Sequence, residues 1–346
     1  MSAVTDAGRS PARFRASLTG LSSVAITLFG LVLVTFLIGR AMPIDPILAI
    51  VGDHAPPDVV AKVRADLALD QPLFVQFWIY LVHLVHGDLG RSVMTQNLVT
   101  ADIAHFFPAT LELATTAIII AIVIGVPLGV VAAARQGTRF DHVVRVISLA
   151  GQSVPIFVLG LLCLLVFYVK LGVAPGTGQQ DVLYEGMVPD VTGMRVLDAA
   201  LDGDWDAFWD AFAHLIQPAL VLAYFSLSII TRMTRAFMLD ALAGEYIVAA
   251  RAKGLSPARI LWRHAFGNIM VPLVTVIALA YAGLLEGAVL TETVFSWPGL
   301  GLYLTGSLLN ADMNAVLGAT LVVGMVYVGL NLLADLAYRL LDPRVR

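Results

Sequence analysis

Six stretches of this chain are each roughly 20 residues long and almost free of charge, and nothing else constrains the fold as strongly. They run from about Leu21 to Gly39, Leu111 to Ala134, Val146 to Leu171, His214 to Ile230, Ile269 to Leu290 and Ala315 to Ala337. A helix needs about 20 mostly apolar residues to cross roughly 30 Å of hydrocarbon. Within lipid only helices and closed barrels satisfy every backbone polar group. The spacing therefore predicts an all-α, polytopic membrane protein with about six transmembrane helices. Composition agrees: 13% of residues are charged, against about 25% in soluble domains. Arg9, Arg13 and Arg15 precede the first stretch as in a signal peptide. That stretch exceeds the usual apolar run of about 7–15 residues and no A-x-A site follows it, so it reads as an uncleaved span.

Lys and Arg set the orientation, because short cytoplasmic segments carry the excess of positive charge. Arg135, Arg139 and Arg145 lie between spans two and three. Arg232, Arg235, Arg251, Lys253, Arg259 and Arg263 lie between spans four and five, and Arg339, Arg344 and Arg346 close the chain. The segment between spans three and four holds Arg195 alone, and that between five and six holds none. Both termini are expected in the cytoplasm. Residues 1–20 are then a cytoplasmic tail, 21–42 the first span and 43–109 an extracytoplasmic helical loop. Residues 110–346 form a five-helix core with a cytoplasmic loop, 231–267, and an acidic extracytoplasmic insertion, 172–213.

The net charge of −4 argues against a nucleic-acid binder, which carries a basic patch and a high pI. Cys163 is the only cysteine, which excludes an internal disulfide and a thiolate zinc cluster. In the first outer loop, Pro56-Pro57-Asp58 opens a helical pattern through Val59, Val60, Val63 and Leu67. Pro72 opens a second, through Phe74, Phe77, Trp78, Leu81 and Leu84, with Gly87 placed for a left-handed C-cap. This small helical layer rests on the bilayer or on the helix bundle. The insertion holds Asp181, Glu185, Asp190, Asp198, Asp202, Asp204, Asp206 and Asp210, either as a solvated loop or as a surface for a basic partner. Trp205 and Trp209 suggest an interfacial helix there.

The loop from Thr231 to Gly267 is the most informative part of the chain. Ala249, Ala250 and Ala252 favour a helix with small side chains, and Gly254 suits its stop. Ser256 and Pro257 suit the start of the next, Ser256 as the cap. Two short basic helices are thus expected to meet at a glycine break. Charge alone would leave this an ordinary positive-inside loop.

At this segment the resemblance to a family becomes specific. Val248-Ala249-Ala250-Arg251-Ala252-Lys253-Gly254 resembles the EAA loop of binding-protein-dependent ABC importers, and the spacing to Pro272 is similar to that of the dipeptide/oligopeptide/nickel permeases. Gly87-Asp88-Leu89-Gly90-Arg91-Ser92, Pro108-Ala109-Thr110-Leu111-Glu112-Leu113, Thr291 through Gly301, and Asp342-Pro343-Arg344 resemble further segments of that family. Val248 stands where the generic pattern has glutamate, with Glu245 one turn earlier, and the acidic insertion is longer than in many relatives. The resemblance implies a permease subunit for dipeptides or oligopeptides, or for nickel complexes, glutathione, opines or similar solutes. It implies a second homologous permease subunit, two ATPase subunits that use ATP and Mg, and an extracytoplasmic binding protein. It places Glu245, Ala249, Ala250, Arg251, Ala252, Lys253, Gly254 and Leu255 against the ATPase. This chain is expected to bind no cofactor: its three lysines follow Ala61, Val169 and Ala252, whereas a Walker A lysine follows Gly.

Ionisable residues inside spans are costly and default to functional candidates. Glu286 lies well inside span five, beside Gly287 and Ala288. It is a candidate for the translocation pathway or for an interhelical hydrogen bond. Glu112 and Asp335, near span ends, read as structural, and Gly125, Gly129, Gly160, Gly318 and Gly324 as packing positions. No H-e-x-x-H or G-x-S-x-G motif occurs, so an intramembrane enzyme has no recognisable catalytic set. His83 and His86, three apart, read as a solvated pair rather than a metal site. A stand-alone channel has no use for an ATPase dock.

Overall fold

A computed structural model of the chain describes residues 10–41, 56–66 and 69–341. The chain begins with α1 (Ser10–Ala41), α2 (Pro57–Asp66), α3 (Leu73–Val85), α4 (Val99–Ala134), α5 (Arg139–Ser153) and α6 (Ile156–Cys163), which continues as a π-helix, Leu164–Lys170. A 3₁₀ turn (Val182–Tyr184), α7 (Arg195–Asp202), α8 (Trp205–Leu242) and α9 (Glu245–Ala252) follow. Then come α10 (Pro257–Arg259), a second π-helix (Ile260–Ala265), α11 (Phe266–Phe295), α12 (Leu300–Leu309) and α13 (Met313–Leu341). Among the described residues the one extended pairing is a single bridge between Arg91 and Leu98. The fold is all-α.

Among the described residues, four helical runs are long and apolar enough to cross a bilayer: Val99–Ala134, Trp205–Leu242, Pro257–Phe295 and Met313–Leu333. The expected third span, Val146 to Leu171, is not one straight helix. It is the pair α5 and α6 with its π extension, bent by 102°. The cause is local: proline disfavours helix at the residue before it, and Val154, before Pro155, is extended (φ −94°, ψ 125°). The fourth span is longer than its apolar stretch. Trp205 and Trp209 belong to the first turns of α8 rather than to a separate interfacial helix, and Thr231–Leu242, expected in the loop, is its last third.

The chain divides into two compact units, residues 1–100 with 307–328, and 101–306 with 329–346. In the first, α1 runs beside α13, with Leu31 against Gly324 and Gly39 against Leu317. The Gly87–Ser92 segment is a built turn. Gly87 (φ +76°) and Asp88 close α3 by donating to the carbonyls of Leu84 (3.0 Å) and His83 (2.9 Å), the double bond of a Schellman cap. Asp88 accepts from Gly90 N–H (2.9 Å) and lies 3.0 Å from His83 Nδ1. Buried Asp312 accepts from Ser92 Oγ (2.5 Å) and Met94 N–H (3.1 Å).

In the second unit α4, α8 and α11 pack closely. A Cβ on Gly129 would stand 2.7 Å from the Thr231 carbonyl oxygen, so the helices meet at backbone distance. Gly125 and Gly160 also sit at close approaches. Glu112, on α4, accepts from the N–H groups of Arg195 (3.1 Å) and Val196 (2.9 Å) and from Gln179 Nε2 (3.3 Å). Asp198 accepts from the N–H groups of Val191, Thr192 and Gly193. Buried acids thereby fold the insertion, and Glu112 is structural as expected. The side chain of Asp335, and all of Leu67, lie outside the described residues.

Candidate functional site

Two short helices meet at Gly254, as the sequence predicts. Gly254 N–H donates to Arg251 O (2.9 Å) and Leu255 N–H to Ala250 O (3.2 Å). These are the 5→2 and 6→1 bonds of a Schellman motif, and they need a left-handed residue between them. Gly254 supplies it, at φ +74°. Pro257 opens the next helix, whose first bond runs from Ile260 N–H to Ser256 O. The Ser256 hydroxyl makes no capping bond; its carbonyl, with the preset φ of Pro257, starts the helix instead.

On α9, Ile247 and Ala250 are buried, and α9 packs on the second π-helix. Glu245, Ala249, Arg251, Ala252, Lys253 and Gly254 are exposed, and Leu255 is half-buried. Ala250 is therefore an anchor of the segment rather than part of its outer surface: a spacing of three turns it to the Ile247 face. The same spacing puts Tyr246 and Val248 outside, two surface positions that the motif-based set passes over and a helical wheel finds. Arg251, Lys253, Arg259 and Arg263 are exposed, so the segment presents a basic, small-residue surface.

From Pro257 the chain is helical without interruption to Phe295. Glu286 stands 29 residues along that run, about 44 Å at 1.5 Å per residue. It is exposed, and among the described residues it has no hydrogen-bond or ion-pair partner. Its face carries Leu279 and Leu290, both exposed, and Gly283 and Gly287, where a Cβ would meet nothing within 4 Å.

Glu292, six residues on, is in the opposite condition. It is fully buried and accepts from Thr110 Oγ1 (2.7 Å), Gly301 N–H (2.6 Å) and Leu302 N–H (3.1 Å). It thus caps the N-terminus of α12, where a carboxylate is favoured. Leu300 N–H donates to Thr110 Oγ1 (2.8 Å), and the Trp297 indole donates to Ala109 O (2.9 Å). A Cβ on Gly299 would lie 2.5 Å from the Glu292 carboxylate. The Thr291–Gly301 motif is therefore a knot tying α11, α12 and α4.

At the other end, α8 is tied to α5 by buried Asp141. It accepts from Arg235 Nε (2.6 Å) and Nη2 (2.9 Å), ten residues before Glu245. Beside the acidic insertion is a cavity of 630 Å³ lined by His105, Gln180, Glu185, Asp190, Arg195 and Ser296 among others. His86 Nδ1 lies 2.7 Å from Val82 O, so with His83 against Asp88 the two imidazoles are engaged separately.

Residues 125–346 match the family described as the binding-protein-dependent transport system inner membrane component. Residues 14–114 match the N-terminal part of such components. The chain belongs to this family. It is a multi-pass inner-membrane component of a transport system. It is 43% identical over 322 residues to the probable D,D-dipeptide transport system permease protein DdpB of Escherichia coli (strain K12), covering 93% of this chain and 94% of that protein. It is 41% identical to the di/tripeptide transport system permease protein DppB of Pseudomonas aeruginosa (strain UCBPP-PA14), covering 92% of this chain and 95% of that protein. Among solved structures, the inward-facing MetNI methionine ABC transporter matches with a TM-score of 0.49 and 18% identity, covering 68% of this chain and 93% of that one.

Proposed function

We propose that this component is one permease subunit of an ATP-driven importer of dipeptides and short oligopeptides. It forms half of the translocation pathway with a second, homologous subunit. Two cytoplasmic ATPase subunits, using ATP and Mg, seat the surface of Glu245, Ala249, Arg251, Ala252, Lys253, Gly254 and Leu255, with Tyr246 and Val248 beside them. An extracytoplasmic binding protein delivers the peptide. Both termini are cytoplasmic, with loop 231–267 on the same side and insertion 172–213 opposite. The substrate class rests on the relatives named as dipeptide and di/tripeptide permeases at 41–43% identity.

One observation carries the mechanism. Glu286 stands on the helical run Pro257–Phe295, whose near end, with exposed Arg259 and Arg263, follows the docking helix α9 across the Gly254 turn and whose far end is fixed by Glu292. Movement of the ATPase pair shifts this run as a body and re-aims the face that carries Glu286. A carboxylate with no partner among the described residues, inside a span, faces a protein neighbour or a watered path. There it meets the peptide ammonium. Coupling then follows from differential binding of substrate by two arrangements of the permease pair.

Photo-crosslinking from single positions of the assembled complex tests the docking. Probes at Ala249 and Ala252 should capture the ATPase, while probes at Ile247 and Ala250 should not. Equal capture from both faces, or none from either, would contradict the reading.

A further inference from the structure

The helix α3 has its polarity inside out. Its 13 residues, Leu-Phe-Val-Gln-Phe-Trp-Ile-Tyr-Leu-Val-His-Leu-Val, contain no Asp, Glu, Lys or Arg. A helix of this length in water turns its apolar stripe inward and its polar residues out. Here Gln76 is buried at 7% exposure, its amide donating to the carbonyls of Gln71 (2.7 Å) and Leu69 (3.2 Å). Phe74, Trp78 and Val85 are 75%, 66% and 83% exposed, with Val82 between them. Their spacing of four, four and three puts the four on one face.

The place where α3 packs says what covers that face. Phe77 meets Phe29 and Phe36 of α1 edge-on, at ring-centroid distances of 5.8 and 5.2 Å, and Tyr80 meets Phe36 at 5.7 Å. Counted at 1.5 Å per residue from Arg40, Phe36 and Phe29 lie about 6 and 16 Å inside that end of α1. Over this stretch α1 runs beside the bilayer-crossing part of α13, with Leu31 on Gly324 and Gly39 on Leu317. Phe29 is itself half exposed, so the bare faces of α1 and α3 adjoin there. Both ends of α3 reach exposed polar residues, Asp70 and Gln71 before it, His83 in its last turn, and His86 and Asp88 after it.

We propose that α3 is a lipid-embedded helix, set into the half of the bilayer at the Arg40 end of α1, with Phe74, Trp78, Val82 and Val85 against acyl chains. The 43–109 segment is then only partly an aqueous loop. Interfacial helices sink about 5–10 Å into the headgroup–acyl boundary, and the Phe77 position is at or below that depth. The partner is lipid rather than a docked protein. Inverted polarity is indifferent to what a folded partner offers, but it matches hydrocarbon, which rewards exposed Phe and Val and penalises an exposed amide. Trp78 suits a site near the headgroups.

The test places spin labels on the full chain, in its complex, in phosphatidylethanolamine/phosphatidylglycerol nanodiscs. Single cysteines replace Gln71, Phe74, Trp78, Val82 or Asp88 in a Cys163→Ser background. Oxygen should broaden the labels at 74, 78 and 82 while the water-soluble nickel complex loses its effect there. At 71 and 88 the nickel effect should persist. The unmodified chain gives a second reading: a diazirine-bearing phospholipid should label the peptide 73–85, as mass spectrometry would detect. Nickel access at 74 and 78, or protection from both relaxants with no lipid labelling, would overturn the proposal. The first would mean water and the second a protein partner or a second copy.

Discussion

Glu286 and Glu292 are six residues apart on one helix and differ in almost every physical respect. Glu292 is fully buried, with its oxygens bonded to Thr110, Gly301 and Leu302. Glu286 is exposed, flanked by glycines that face open space, and has no partner among the described residues. The same side chain serves here as a structural tie and there as a group offered outward. A buried carboxylate is tolerated when its hydrogen bonds are complete. An unpaired one inside a span marks a surface that another molecule, or water, completes. The contrast recurs between the insertion, whose backbone is held by its own buried Asp198 and by Glu112 of α4, and the segment around Gly254, whose bases turn out.

Substitutions separate the two conditions. Glu292→Ala strands Gly301 N–H, Leu302 N–H and Thr110 together and should destabilise the chain by about 3 kcal/mol or more. Thermal unfolding of the purified complex measures this, and stability near that of wild type would break the comparison. Gly299→Ala forces a methyl onto the same carboxylate and should cost about 1–3 kcal/mol in the same assay. Gly254→Ala meets no atom within 4 Å, so its cost, about 1 kcal/mol, comes from the left-handed backbone alone. Its mark should be weaker ATPase stimulation by binding protein rather than lost assembly. Glu286→Gln should leave stability within about 0.5 kcal/mol while lowering uptake of a labelled dipeptide into proteoliposomes. Loss of folding instead would place Glu286 with Glu292.

The smallest effect concerns pH. The Gly90 N–H, and then His83, hold the Asp88 carboxyl below its usual range. A lowered folded pKa means that the stabilisation is present above the unfolded value, about 3.9, and is lost as pH falls through the folded one. Amide exchange at Gly90 should therefore stay slow at neutral pH and speed, relative to its intrinsic rate, only once the pH drops below about 4. Loss of protection well above pH 4 would contradict this assignment to Asp88.

Much of this was legible beforehand because membrane spans and glycine caps are short-range signals. Apolar length located the helices, and Gly254 and Gly87 announced left-handed turns that both occur. The bend at Pro155 was masked by an apolar run that continues through it. Ser256 carries the letter of a cap but not its bond, since a proline-led helix starts without one. Ala250 and Val248 exchange sides relative to the motif because a motif records identity and a helix records phase. The knot around Glu292 joins residues as far apart as Thr110 and Gly301. The Thr291–Gly301 segment could be marked in the sequence, but not the partner that explains it. Asp312, which holds Ser92 across 220 positions, had no local signal.

The central claim is that the segment around Gly254 conveys ATPase movement to the pathway. Binding-protein-stimulated ATP hydrolysis by the reconstituted complex tests it most directly, comparing the wild-type chain with Gly254→Pro and measuring assembly alongside. Proline cannot adopt φ +74° and lacks the N–H that Arg251 O accepts. The account predicts stimulated hydrolysis for wild type and loss of stimulation or of ATPase attachment for the variant. Equal stimulation in both complexes would contradict it.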